Sequence, residues 1–535
     1  PDVVDKGIKL LKQIQKEELP SWDLSDLYQG SDDSKIESDL ASLLIDAKDF
    51  ELKYKGRITA AALTGPFLQE MMNQLERMYD TIHKIVAYSY LKFSEDTKKF
   101  GPFVQKIQDR TTAIKNYILF VDIEWRKIDK EVAGRILAEE ACSKFRYYLT
   151  HELEYKDHTL TEPEEKIIRE KDNTGSHAFT RLFDETVNNI KFTLVEGKRL
   201  TKLNESAVLQ LLYHEDRNKR KAAANAFTDG LEENQHLLAY IFNICAQDKQ
   251  VSDRLRSYSS VMQERHLDNA IDGKTVEALI EAVKKGYTAV HRYYRLKGKV
   301  HGFRLMEYDR YAPLPRYVGN RERYIPYEEA KAIILQAFGA FSPQMANVAN
   351  LFFQHNWIDA APKMGKRGGA FSHSVAPSVH PYILVNYFGG LRDIMTVAHE
   401  LGHGIHQYLS REQGIFHAHT PLTTAETASV FGEMLVFDSL MKKSLSDPRE
   451  RFNLRMTKLA DIFATVSRQV VMTQFETYMH EARKEGELPV ERLNEFWMKA
   501  NQPMFGTSVK LSKNYSWWWM YIPHIIHTPF YVYAY

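Results

Sequence analysis

Apolar residues recur three and four positions apart through most of the first three hundred residues, a spacing that lines one face of an α-helix. The segments DLASLLIDAKDFELKYKG, FLQEMMNQLERMYDTIHKIVAYSYLKF, TAIKNYILFVDIEWRKI and TVEALIEAVKKGYTAVHRYYRLKGKVHG carry it most clearly. They read as helices that bury one stripe against their neighbours, and core packing accounts for them without any chemistry. The texture changes after Arg304, where YDRYAPLPRYVGNRERYIP collects prolines and aromatics and reads as an irregular connection. Next, PKMGKRGGAFSHSVAPSVHPYILVNYFGG mixes glycines with a β-favouring run, Tyr382 to Phe388, which predicts one or two short strands between turns. Helical spacing resumes at Leu391. The chain closes on WWWMYIPHIIHTPFYVYAY, Trp517 to Tyr535, which gathers aromatics and two histidines. No repeat period or low-complexity tract is visible.

Composition narrows the function classes. With 535 residues, 44% hydrophobic and 26% charged, this is an ordinary globular chain with length enough for a deep, enclosed site. The 71 basic and 70 acidic side chains give a net charge of +1, so no global field recruits nucleic acid or an anionic membrane, and neither is an expected partner. The N-terminal stretch has no apolar run of signal-peptide length, and nowhere do ~18 uncharged apolar residues follow one another. Cys142 and Cys245 are too few for a disulfide framework, so a cytoplasmic location is expected.

The candidate chemistry lies in TVAHELGHGIHQ. If LRDIMTVAHELGHGIHQYLS is a helix, His399 and His403 stand one turn apart on one face, about 6 Å along the axis and ~40° around it, so both imidazoles reach one ion. Glu400, rotated by ~100° from His399, then lies beside that ion, where a general base for a metal-bound water sits. Satisfied histidines in a core helix are the alternative, and a third ligand decides between the two. His406 is too distant, since His399 to His406 spans ~10 Å of helix axis. His417 and His419 in GIFHAHTPL are candidates, as is Glu426 in PLTTAETASVFGEMLVFDSLM, expected as a helix from Thr423 or Thr424. Thr423-x-x-Glu426 also matches a capping box, which gives Glu426 a purely structural reading. In the first turn of a helix antiparallel to the motif helix, its carboxylate would complete a His, His, Glu set with one open position, as catalytic zinc requires. Glu433 lies two turns further on the same face and can orient a ligand imidazole. Such a donor set favours zinc, one ion per chain.

Taken together, HELGHGIHQ, TPLTTAETASVFGEML and GKRGGAFSHSVAPSVHPYILVNYFGG resemble the zinc metallopeptidases of the oligoendopeptidase F branch of the thimet oligopeptidase family. The similarity extends to IPHIIHTPFYVYAY and, more diffusely, from about residue 190 onward. The resemblance implies that the glutamate of the AETAS-like segment, Glu426, is the third ligand. It also implies a mainly α, two-lobed helical metallopeptidase with a deep central channel and a small β-sheet beside the active site. The corresponding domains are an N-terminal helical lobe, 1–185, and a zinc metallopeptidase catalytic domain, 186–535. Members of that family continue past the tyrosine-rich segment with further helices, so truncation at the C-terminal end is expected.

On the same resemblance Gly368, Gly369, Ala370 and Phe371 form an edge along which a peptide backbone pairs, with a structural turn as the alternative. The tail would supply a donor for the tetrahedral oxyanion. His524 or His527 with Tyr531 are the favoured catalytic groups, and Tyr533 and Tyr535 are expected against substrate; aromatic core packing is the competing explanation. The expected activity is zinc-dependent hydrolysis of internal bonds in short unfolded peptides, with Glu400 assisting attack by a zinc-bound water. A carboxypeptidase-type exopeptidase of related fold and an inactive peptide-binding protein are the rivals, and the intact His399, Glu400, His403 and Glu426 argue against the second. The oligomeric state is left open.

Overall fold

A computed structural model describes residues 18–315, 324–363, 365–444 and 447–534. The chain forms two compact units, and each is assembled from two stretches of sequence: Pro1–Glu162 with Arg321–Ser446, and Pro163–Asn320 with Asp447–Tyr535. The sequence reading places one boundary between residues 185 and 186, whereas the compact units alternate along the chain. Helical periodicity explains the difference, because it records which face of a helix is buried but not which distant segment buries it.

The helices that position the site are, in chain order, α1 (Ser34–Tyr54), α2 (Gly65–Glu95), α3 (Thr97–Ile118), α4 (Leu391–Ser410), α5 (Leu422–Lys443) and α6 (Arg468–Arg483). The strands are β1 (Phe192–Glu196), β2 (Arg199–Leu203), β3 (Leu305–Met306), β4 (Ile358–Asp359), β5 (Phe371–His373), β6 (Tyr382–Leu384) and β7 (Val509–Lys510). The fold is mainly α, as expected.

In the first unit α1 buries Ile36, Leu40, Leu43, Ala47, Phe50 and Tyr54, the stripe its apolar spacing prescribes. Side-chain caps fix the starts of its neighbours: Thr64 accepts from the Phe67 N–H ahead of α2, and Asp96 accepts from the Lys98 and Lys99 N–H groups ahead of α3. A three-stranded sheet, order β4-β6-β5, sits in the same core. Its middle strand runs parallel to β4 and antiparallel to β5. Trp22 packs on Phe371 and Tyr382, with ring centroids 6.4 and 6.2 Å away, so the early helices and the sheet share one apolar interior.

The second unit has its own core, built from helices of both its segments together with the tail. The antiparallel hairpin β1–β2 interrupts a stretch that helical spacing dominates. Its cue is the short alternation FTLVE and RLTKL about Gly197, which a search at period 3.6 passes over. Trp518 and Trp519 are buried edge-on against Phe227 and Phe242, so the tail's aromatics are largely core. Among the described residues no helix is long and apolar enough to cross a membrane.

Candidate metal centre

Helix α4 begins at Leu391, where the apolar spacing resumes, and Asp393 anchors that start by accepting from the N–H groups of Phe388 and Gly390. It buries Ile394, Val397, Ala398, Leu401 and Ile405. Gly402 and Gly432 bring α4 and α5 into backbone contact. A Cβ on Gly402 would stand 2.5 Å from the Ala428 carbonyl oxygen, and one on Gly432 would stand 3.0 Å from that of Ala398. Residue 402 meets 428 while 398 meets 432, so the two helices run antiparallel. The α5 helix begins at Leu422, and its cap, Pro421, makes no side-chain bond. Thr423, which the capping-box alternative would need as the cap, lies inside the helix.

Glu426 turns toward α4. Its Oε2 lies 3.5 Å from Nε2 of His399 and 3.5 Å from Nε2 of His403. One donor atom from each of the three residues falls within 4.8 Å of the others. Zinc bonds of ~2.0–2.2 Å place two ligands of a tetrahedron about 3.3–3.6 Å apart, so this set fits such an ion. Ser429 Oγ donates to Glu426 Oε2 at 2.8 Å, and Glu433 Oε2 stands 3.5 Å from Nδ1 of His399, where it orients the ring. His417 and His419 are engaged elsewhere: Nε2 of His417 bonds the Lys144 carbonyl, and His419 lies between His83 and Ser374.

Charge in the site follows burial and proximity. Glu400 is 6% exposed, and burial pushes its carboxyl up to about 7 against the pull of His399 and His403. Burial works to lower His399, but the hydrogen bond to Glu433 and the surrounding carboxylates outweigh it and leave the imidazole raised. For Glu426 burial is overcome by the bond and charge of His403, then by His399, so its carboxyl is lowered.

The sheet edge is narrower than the sequence suggests. Gly368 and Gly369 form the turn before β5; Gly369 has φ +76°, a conformation that favours glycine, and its carbonyl accepts from Asn386 Nδ2. The N–H groups of Ile383 and Val385 donate to Trp357 and Asp359, toward β4, so Tyr382 and Leu384 face His373 and Phe371 of β5. Ser372 therefore turns its backbone to the open side. There Gln407 Nε2 donates to the Ser372 carbonyl at 3.2 Å, and Ser372 Oγ donates to Gln407 Oε1 at 2.7 Å. Ala370 lies directly before β5 and Phe371 is its first residue. Gln407 lies one turn beyond His403, inside the motif itself, yet only the folded strand reveals its part.

The tail residues lie in the second unit. His524 and Tyr531 come together, ring centroids 6.2 Å apart. Burial, then the charge of Arg468, pushes His524 down to about 4. His527 is exposed and paired with Asp184 at 2.8 Å. The Tyr533 hydroxyl is internal, bonded by Asn269 Nδ2 at 3.0 Å and shared with His266 Nδ1 at 2.9 Å. Tyr535 lies outside the described residues. Just before Tyr531, the Phe530 N–H donates to Glu476 Oε2 at 2.7 Å, and Phe530 itself has φ +58°.

Two imidazoles from an H-E-x-x-H helix and a carboxylate from an antiparallel helix could hold a metal ion, with a buried carboxyl beside it; on a mainly α fold this is the arrangement that metallopeptidase chemistry calls for. The chain belongs to peptidase family M3, whose model matches residues 210–535, and the Oligopeptidase F model matches residues 124–192, which places it in the oligoendopeptidase F branch. It is 27% identical over 528 residues to an oligoendopeptidase F homolog of Lactococcus lactis subsp. lactis, covering 96% of this chain and 85% of that protein. It is 25% identical over 554 residues to the oligopeptidase PepF of Bacillus subtilis, covering 99% and 80%. Among solved structures, a putative peptidase from Chlamydophila abortus superposes with a TM-score of 0.76 at 24% identity, over 96% of this chain and 86% of that one. The oligoendopeptidase-F of Enterococcus faecium does so with 0.69 at 20%, over 94% and 85%. Both share the fold.

Proposed function

We propose that the protein is a zinc-dependent endopeptidase that hydrolyses internal bonds of short, unfolded oligopeptides, with one zinc per chain held by His399, His403 and Glu426. The observation that carries this reading is the pair of 3.5 Å separations from Glu426 Oε2 to the two imidazole nitrogens, a spacing that suits a single tetrahedral ion. When bound, zinc would supply Lewis acidity, lowering the pKa of water and polarising the scissile carbonyl. Glu400 accepts the proton of the attacking water and returns it to the leaving amine. Ser429 and Glu433 hold the ligands in place. The edge at Ala370 receives the substrate backbone, its register fixed by the Gln407–Ser372 pair. His524 and Tyr531 are the donors assigned to the oxyanion. The restriction to short peptides rests on the resemblance and on relatives that bear oligopeptidase names. Both cysteines are free, which suits a cytoplasmic location.

The test is a series of peptides blocked at both ends, incubated with protein of measured metal content and mapped by mass spectrometry. Internal cleavage that chelation abolishes and zinc restores is the expected result. Release of terminal residues from unblocked peptides alone would assign an exopeptidase instead, and binding without cleavage a peptide-binding protein.

A further inference from the structure

The second unit holds two guanidinium groups, Arg310 and Arg468, that pair with no carboxylate among the described residues. Arg310, 5% exposed, lies between the rings of Tyr311, Phe505 and Tyr515 at 5.0, 5.2 and 5.0 Å, and its Nε donates to the Glu307 carbonyl at 3.0 Å. Arg468, at the start of α6, is half-buried; its Nη2 donates to the Tyr521 hydroxyl at 3.0 Å and its Nη1 reaches that of Tyr311 at 3.4 Å. Arg310 Nη2 lies 3.3 Å from the same Tyr311 oxygen, so one phenol joins the two cations. The buried acids nearby are committed: Glu307 accepts from the backbone and side chain of Ser512, and Asp309 pairs with Arg217 and Arg220. Among the described residues no carboxylate lies within ion-pair distance of Arg310 or Arg468. The Arg468 Nε is buried and has no hydrogen-bond partner among the described residues.

Cations removed from water are costly unless paired, and a guanidinium presents a fork of donors matched to a carboxylate. Here the fork is partly open: Arg468, Tyr311 and Tyr521 are each only partly buried, whereas Arg310 behind them is enclosed. We infer that Arg468, backed by Arg310 and flanked by the hydroxyls of Tyr311 and Tyr521, binds a carboxylate of the peptide substrate. This rests on the peptidase reading for the identity of the ligand. The carboxylate is supplied either by the peptide's C-terminus or by an acidic side chain.

The experiment separates these sources and separates this inference from the activity. Four fluorescent peptides are needed: one sequence with a free C-terminal carboxylate and with a carboxamide, and a doubly blocked sequence with one Glu and with Gln in its place. Their binding is measured on the zinc-loaded Glu400→Gln protein by anisotropy, with and without Arg468→Gln. The expected result is at least about ten-fold tighter binding of the acid form in one of the two pairs, lost in Arg468→Gln and partly kept in Arg468→Lys. Tyr521→Phe, which leaves both guanidiniums in place, should weaken the acid form alone by a smaller factor if Arg468→Gln fails to fold. Equal binding within both pairs, no binding at all, or a uniform loss across all four peptides on Arg468→Gln overturns the site. Cleavage of the same peptides by the parent judges the activity on its own. Cleavage without acid discrimination overturns this site only, and acid-selective binding without cleavage overturns the peptidase reading while the site stands.

Discussion

At the scale of single residues, the proposed site gives Glu400 and the three donors separable tasks. Glu400→Gln keeps the shape but cannot accept a proton, so zinc content should stay at one per chain while kcat falls by ~10²–10⁴. Glu426→Ala removes a donor, and elemental analysis after dialysis should show the metal lost. If that variant held zinc as firmly as the parent while His417→Ala or His419→Ala released it, the donor assignment would be wrong. In the tail, Tyr531→Phe should lower kcat by ~10²–10³ with little change in KM, whereas Tyr533→Phe, whose hydroxyl serves His266 and Asn269, should register as a stability loss of about 1 kcal/mol. The spacing of His399, Glu400 and His403 was legible in the sequence because one helix fixes all three. Glu426 needed a resemblance to single it out from two nearby histidines. Gln407 and Ser429 were hidden, since each acts on a partner that only folding brings near.

At the scale of elements, the crossing of α4 and α5 sets the distance between the imidazoles of His399 and His403 and the carboxylate of Glu426. A methyl group at residue 402 meets the backbone of α5, which cannot move aside as a side chain can. Gly402→Ala should therefore push the helices apart, cost roughly 1–3 kcal/mol and weaken zinc retention, although it alters no ligand. Melting temperature and metal content measured together check this, and a stable variant with full zinc would refute it. The start of α4 was readable to the residue, but the glycine contact was not, because a pattern of apolar positions is silent on how closely two helices approach. On α6, Glu476 is fully enclosed and burial raises its carboxyl to about 8 despite the bond from Phe530. Its folded pKa exceeds its unfolded value, so the stability linked to it is complete below about 4.5 and is lost as pH climbs toward 8. Glu476→Gln keeps an acceptor for Phe530 and cannot ionise. Its melting temperature should exceed the parent's at pH 8, with the gap closing toward pH 5.

At the scale of the whole molecule, helical class and the place of β6 were visible, but the β1–β2 hairpin and the partition into units were not. Periodicity is local, whereas the first unit joins residues more than three hundred positions apart: Trp22 against Tyr382, the Asp23 N–H on the Asn356 carbonyl, the Ala360 N–H on that of Pro20. This arrangement bears on how the chain is made. A ribosome delivers Pro1–Glu162 early, yet the strands and the metal helix that complete its core are not finished until Ser446, and at ~5–20 residues per second that interval is on the order of tens of seconds. Throughout it, apolar faces later covered by β5, β6 and α4 stand open to water, a state that invites chaperone binding and is slow to resolve because its contacts are so remote in sequence. A chain ending at Asn320 should accordingly stay with chaperones and bind hydrophobic dye, and supplying Arg321–Tyr535 as a second polypeptide should release it. The proposed metal ligands, borne on the later segment, would meet an ion only once that wait is over.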